Sequence, residues 1–264
     1  MFDEIYLSDQ KNLLVDFLQK KYNIDITNTE YFNNFIDMNL GKLTSIKIWS
    51  EHLNDSYSFG AEQYLNEIIS NLNQLLILAM LGFEIPSLML IRRSLENLLM
   101  FLYFKDHHIE FIKRELSQDA TKKEKNQEYR VDRNRISGLK EYVENFPFTA
   151  IYPEIERSKI NDLSKNLIQL WDNKYGDLSN FVHGTSSKYL ELKNYLDEIN
   201  SDKESLDSIS NYMTNYYSLI NSYFILFYFN KYKDFETREK SIIRNAIDGE
   251  TRFKQKLTEL FGEI

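Results

Sequence analysis

Turn-making residues are scarce in this chain: 264 residues include only 8 Gly and 3 Pro. A β-sandwich or barrel reverses direction about every 8–12 residues and relies on glycine and proline to do so. A chain this poor in both is built from few, long elements, and helices are the long elements. The apolar spacing agrees. Tyr64, Leu65, Ile68, Ile69, Leu72, Leu75, Leu76 and Ala79 fall on one broad helical face that starts near Ser58 and ends at Gly82. Glu84-Ile85-Pro86 restarts a helix, with Pro86 suited to its first turn, and the pattern continues over Ser87–Phe104. These two segments predict a long antiparallel helical hairpin at the centre of the core.

Other segments are read in the same way. Glu4–Tyr22 carries a stripe of Ile5, Leu13, Leu14, Phe17 and Leu18, and Phe32, Phe35, Ile36 and Leu40 keep helical spacing as far as Gly41. Lys42–Leu53 fits either a short helix or a strand-like hairpin arm. Further helices are expected over Ile136–Val143, Ile160–Trp171, Tyr189–Ile199, Ile209–Tyr232 and Glu236–Phe261. Ser117–Arg135 reads as an exposed loop or a mobile helical excursion, Asn145–Pro153 as a connection, and Asn200–Asp207 as an acidic turn. The expected fold is all-α, a multi-helix bundle with the hairpin at its centre. Residues 1–57 would form an N-terminal helical region, 58–235 the bundle core, and 236–264 a C-terminal helix packed on or extending from it.

Composition narrows the function. Hydrophobic residues make up 42% and aromatics 14%, enough for a sizeable core. The absence of Cys removes disulfide scaffolds, thiolate metal sites and cysteine nucleophiles. The start, Met-Phe-Asp-Glu-Ile-Tyr, has neither the basic flank nor the apolar run of a signal peptide, so the expected location is the cytoplasm. A net charge of −8 argues against indiscriminate coating of nucleic acid and leaves room for a local RNA site. The weakly basic stretches Lys113–Arg135 and Lys231–Lys256 mix both signs and read as solvated helix faces. Two apolar stretches resemble membrane spans at first sight. Leu72–Phe104 is interrupted by Glu84, Pro86, Arg92, Arg93 and Glu96, and Tyr212–Phe229 is short and contains Asn215 and Asn221. Both read as core helices, and no membrane partner is expected.

The four histidines can be weighed singly. His52 lies in a polar linker region, and His107-His108 close a helix, where unpaired carbonyls favour them. No metal or cofactor is expected, since no His-x-x-x-His or Glu-x-x-His pair, phosphate loop or nucleophile elbow occurs. His183 has a richer setting, Tyr175-Gly176-Asp177-Leu178-Ser179-Asn180-Phe181-Val182-His183-Gly184. In a helix, Tyr175, Ser179 and His183 form a polar stripe one turn apart while Leu178, Phe181 and Val182 face the core. A capping or core histidine is the structural alternative. The hairpin offers a second polar island, Arg92, Arg93 and Glu96 in an otherwise apolar run. Such charges pair internally, fixing helix register, or face a polar pocket.

The run Leu90-Ile-Arg-Arg-Ser-Leu-Glu-Asn-Leu-Leu99, preceded by Pro86 and followed downstream by Tyr-x-x-Leu-Ser-Asn-Phe-Val-His-Gly ending at Gly184, resembles the helical proteins of the HEPN superfamily, and among them members found with abortive-infection and other phage-defence genes. The resemblance covers roughly Leu72–Gly184. It implies a homodimer whose two motifs face one cleft, and metal-independent RNA cleavage in which a histidine moves protons and an arginine stabilises charge on the phosphate. His183 matches the histidine, and Asn180 is a candidate polar companion to it. The family's arginine lies four to six residues before the histidine, where this chain has Asp177, Leu178 and Ser179. Arg92 or Arg93, oriented by Glu96, would supply the guanidinium from the other helix, with Tyr175 and Ser179 lining the cleft. The expected ligand is RNA or a nucleotide, and a protein from a neighbouring gene is an expected partner. The alternative is a non-catalytic dimerisation or sensor module that uses the same polar pocket for a partner or small ligand. The aromatic stretch Tyr212–Phe229 is expected to be core, with part of it forming a homodimer seam.

Overall fold

The computed structural model describes residues 2–22, 30–53, 60–112, 135–184, 201–247, 251–262 and 264, and every regular element among them is a helix. In chain order these are α1 (Phe2–Tyr22), α2 (Glu30–Leu53), α3 (Glu62–Met80), α4 (Glu84–Asp106), α5 (Arg135–Glu144), α6 (Phe148–Ile151), α7 (Arg157–His183), α8 (Lys203–Tyr232), α9 (Thr237–Ile247) and α10 (Thr251–Phe261). A helical turn at 108–112 follows α4. The fold is all-α, as expected, with α3 and α4 as its closest-packed pair. No described helix is long and apolar enough to cross a membrane.

The turn between α3 and α4 is built as its sequence suggests. Gly82 adopts φ 84°, its N–H bonds Ala79 O at 3.0 Å, and Phe83 N–H bonds Leu78 O at 2.9 Å. This paired closure needs a residue in the left-handed region, which glycine occupies without a Cβ clash. Pro86 sits in the first turn of α4, where its missing N–H removes no bond.

Helix α4 is the hub. It meets α3, α5, α7 and α8, while α8 also contacts α2, α9 and α10. One apolar cluster runs through the molecule, from Leu18 through Trp49, Leu99, Trp171 and Phe224 to Phe253. Asn221 joins α8 to α2 inside it, accepting from Trp49 Nε1 at 3.0 Å and donating to Ser45 Oγ at 2.9 Å and Tyr217 O at 2.8 Å. The asparagine that marks α8 as an unlikely lipid span is thus a buried, satisfied cross-link.

Several boundaries differ from expectation. Helix α2 continues through Gly41 to Leu53, so Lys42–Leu53 is neither a separate helix nor a hairpin arm. Burial of Leu43, Ile46 and Trp49 outweighs the roughly 1 kcal/mol helix penalty of one glycine. For the same reason α7 is one helix of 27 residues running through Gly176. The acidic turn at Asn200–Asp207 is largely the start of α8, which Asp202 caps by accepting from Ser205 N–H at 2.8 Å. The single C-terminal helix is two, α9 and α10. His52 belongs to α2 rather than to a linker. It stacks on Phe235 with ring centroids 3.9 Å apart and meets Glu239 at 3.0 Å. His107 does close α4, with Nδ1 2.8 Å from Tyr103 O. The expected helix Tyr189–Ile199 and the polar segment 117–134 lie outside the described residues.

Near its end α8 bends: Tyr228 has φ −127° and ψ 31°, outside the helical range. The Tyr152 hydroxyl enters the gap, donating to Leu226 O at 3.2 Å and accepting from Phe229 N–H at 3.3 Å. A side chain inserted into the backbone ladder is a recognised cause of a kink.

Candidate functional site

Helices α4 and α7 lie antiparallel. Trp171 Nε1 donates to Leu95 O at 3.0 Å, Tyr175 meets both Arg92 and Glu96, and Ser179 meets Arg92, so the numbering falls on α4 as it rises on α7. The polar stripe of α7 therefore lies against the polar island of α4.

Arg92 is the centre of this contact. Its Nε donates to Ser179 Oγ at 3.2 Å and its Nη2 to Tyr175 Oη at 2.7 Å, while Nη2 also lies 3.4 Å from Glu96 Oε1. The Tyr175 hydroxyl donates to Glu96 Oε1 at 2.8 Å, and Ser179 Oγ donates to Tyr175 O at 2.7 Å. The guanidinium also lies 4.8 Å from the centroid of the Tyr175 ring, which stacks on Trp171 at 4.6 Å and 12°. Cation, phenol and indole thus form one pile, bonded at its edges. Burial raises the Tyr175 pKa, and its hydrogen bond to Glu96 adds to this against the opposing pull of Arg92. The phenol stays a neutral donor.

The Arg92 side chain is 24% exposed and that of Glu96 31%, so the pair is half-buried and reachable from outside. Its Nη1 makes no hydrogen bond to any described residue. Nε and Nη2 are held by three partners, and that leaves one NH2 group of fixed direction to meet a ligand.

The proposed site residues separate into three groups. Arg92, Glu96, Tyr175 and Ser179 come together. Arg93 does not join them: 62% exposed, it pairs with Glu67 on α3, on the other side of α4. His183 is the last residue of α7 and exposed, one turn beyond Ser179, or about 6 Å along the axis. It makes no hydrogen bond to a described residue. Gly184 follows with φ 53°, and its N–H closes the helix on Asn180 O. Asn180 itself is half-buried beside this end. By the antiparallel register, His183 is level with the first turns of α4.

Trp171 contributes more than its apolar spacing suggested, since it holds Tyr175 flat and ties α7 to the α4 backbone. Its place four residues before Tyr175 was the signal available. Lys140 of α5 closes the far side, 5.9 Å from the Trp171 ring centroid and 2.6 Å from Asp172. Nothing in the sequence pointed to it, because it comes from a separate helix. Among the described residues, no three His, Asp or Glu side chains gather as a metal site would require. Comparisons of the chain with protein-family models, with curated proteins and with solved structures found no match.

Proposed function

We propose that this chain is a HEPN-like effector of the anti-phage or abortive-infection kind, acting as a metal-independent endoribonuclease. The observation that carries the proposal is the oriented Arg92 guanidinium, with one NH2 group left over, bonded to Ser179, which lies one helical turn before the exposed His183 on α7. A phosphodiester seated there would have its non-bridging oxygens against Arg92 Nη1 and its ribose within reach of His183. The 2′-oxygen attacks phosphorus as His183 accepts its proton, the P–O5′ bond breaks, and the departing oxygen takes a proton from a protonated imidazole. In the homodimer implied by the resemblance, one protomer supplies the base and its partner the acid. Arg92 stabilises the charge that builds on the phosphate oxygens, and Glu96, Tyr175 and Ser179 act on it as positioning residues.

The test is cleavage of a fluorescent RNA in chelator, comparing wild type with His183→Ala and Arg92→Lys. Loss of about 100-fold or more in the His183 variant is expected, with products ending in 2′,3′-cyclic phosphate. Equal rates in wild type and His183→Ala would sink the proposal.

One observation favours a second reading, a non-catalytic dimerisation or sensor module. Glu96 neutralises Arg92, and Asp177 stands exposed on α7, so the site has no local excess of positive charge. On that reading no variant changes RNA turnover, and Arg92→Lys lowers thermal stability alone.

A further inference from the structure

A cleft of about 390 Å3 opens on another part of the molecule, where α1 and α9 flank the middle of α2. Ligand pockets for small molecules begin at about this size. Its apolar lining comes from Leu7 of α1, Met38 of α2, and Ile242 and Ala246 of α9. Two cations also line it, Lys42 and Arg238, and among the described residues no carboxylate does. That composition runs against the chain as a whole, which carries 40 Asp and Glu against 32 Lys and Arg. The Lys42 ammonium is held at the wall by donating to Thr214 Oγ1 of α8 at 2.7 Å. Ser241 and Asn245, both exposed, add hydrogen-bonding groups at the rim.

Gly41 lies in the cleft wall, and its presence there needs a reason. It sits inside a 24-residue helix, where glycine costs about 1 kcal/mol relative to alanine. Helix-interior glycines commonly permit close approach of another element. Here a Cβ would meet nothing within 4 Å, so close approach is not the reason. The space a side chain would fill is the cleft itself.

We infer that this cleft binds a small amphipathic organic anion, its apolar body laid over Gly41 against Met38, Ile242 and Ala246, and its anionic head drawn to Lys42 and Arg238. Met38, 39% exposed, is an adaptable cover for such a body. The cleft draws on α1, α2 and α9, and the α4–α7 site on none of these, so this inference stands or falls apart from the nuclease proposal.

The experiment is a fluorescence titration of the full chain with 8-anilinonaphthalene-1-sulfonate, an aromatic body bearing one anionic group. One saturable site is expected. Gly41→Leu, which fills the floor, should weaken binding at least about tenfold while the thermal midpoint holds or rises. Asn245→Leu at the rim gives the same readout should Gly41→Leu fail to fold. Arg238→Met should weaken binding about tenfold, the equivalent of one charge-assisted hydrogen bond. Octanoate or octyl phosphate should displace the probe, and their ranking tells a carboxylate head from a phosphate one. Non-saturable binding, unchanged affinity in the folded cleft variants, or displacement by octanol as effective as by octanoate would each overturn the inference.

Discussion

Adjacent residues on a helix point about 100° apart, which sends Arg92 toward α7 and Arg93 toward Glu67 on α3. The two guanidiniums are alike in chemistry and differ in how much depends on them. Replacing Arg92 by alanine strands the half-buried Glu96 carboxylate and removes donors from Tyr175 and Ser179. A loss of about 1–3 kcal/mol is expected in urea denaturation. Arg93→Ala removes an exposed pair and should cost under about 1 kcal/mol. Equal losses would contradict the assignment of Arg92 as the organising cation. His183 is exposed and makes no hydrogen bond to a described residue, so His183→Ala should leave the melting temperature in place. Any effect of that variant on RNA turnover then reports chemistry rather than unfolding. Sequence spacing sufficed to put Tyr175, Ser179 and His183 on one face and Arg92 with Glu96 on another. It could not choose between Arg92 and Arg93, because that choice depends on which neighbour lies on each side of α4.

At the scale of elements, the kink in α8 makes a second test. Tyr152→Phe removes one hydroxyl and strands two buried backbone groups, Leu226 C=O and Phe229 N–H. A loss of about 1–3 kcal/mol is expected by thermal or urea unfolding, although only one oxygen atom is lost. A change below about 0.5 kcal/mol would mean that α8 straightens and recovers its own ladder. The elements that sequence predicted well, α3 and α4, have long apolar faces, a glycine closure and a proline start that all agree. The misplaced boundaries have a common cause. Gly41 and Gly176 carry a local helix-breaking signal that tertiary burial overrides, and the charged start of α8 hides a cap at Asp202. The kink at Tyr228 was not legible at all, since the residue that creates it lies in another part of the chain.

Across the whole molecule, buried phenols set a limit on alkaline stability. Burial raises the pKa of Tyr216, Tyr217 and Tyr223 far above 10, and pushes Tyr152 and Tyr232 up to about 12. Below pH 10 these groups are protonated in both native and unfolded chains. Above pH 10 the unfolded chain releases protons that the native one keeps, so stability falls as pH rises. Cooperative alkaline unfolding, with tyrosinate absorbance appearing together with loss of helical circular dichroism, is expected between about pH 10 and 12. Phenolate absorbance that rises fully before any helix is lost would contradict this burial. The position of α4 at the hub also bears on the order in which the molecule comes together. The α3–α4 hairpin closes through a three-residue turn, whereas Arg92 and Tyr175 are 83 residues apart and Trp171 and Leu95 are 76 apart. Contacts of such long range form late, after their loop-closure entropy has been overcome. During synthesis Arg92 emerges without its α7 partners and remains an incompletely oriented surface cation until Trp171 docks. The polar site is therefore completed only when the two ends of this long loop have met.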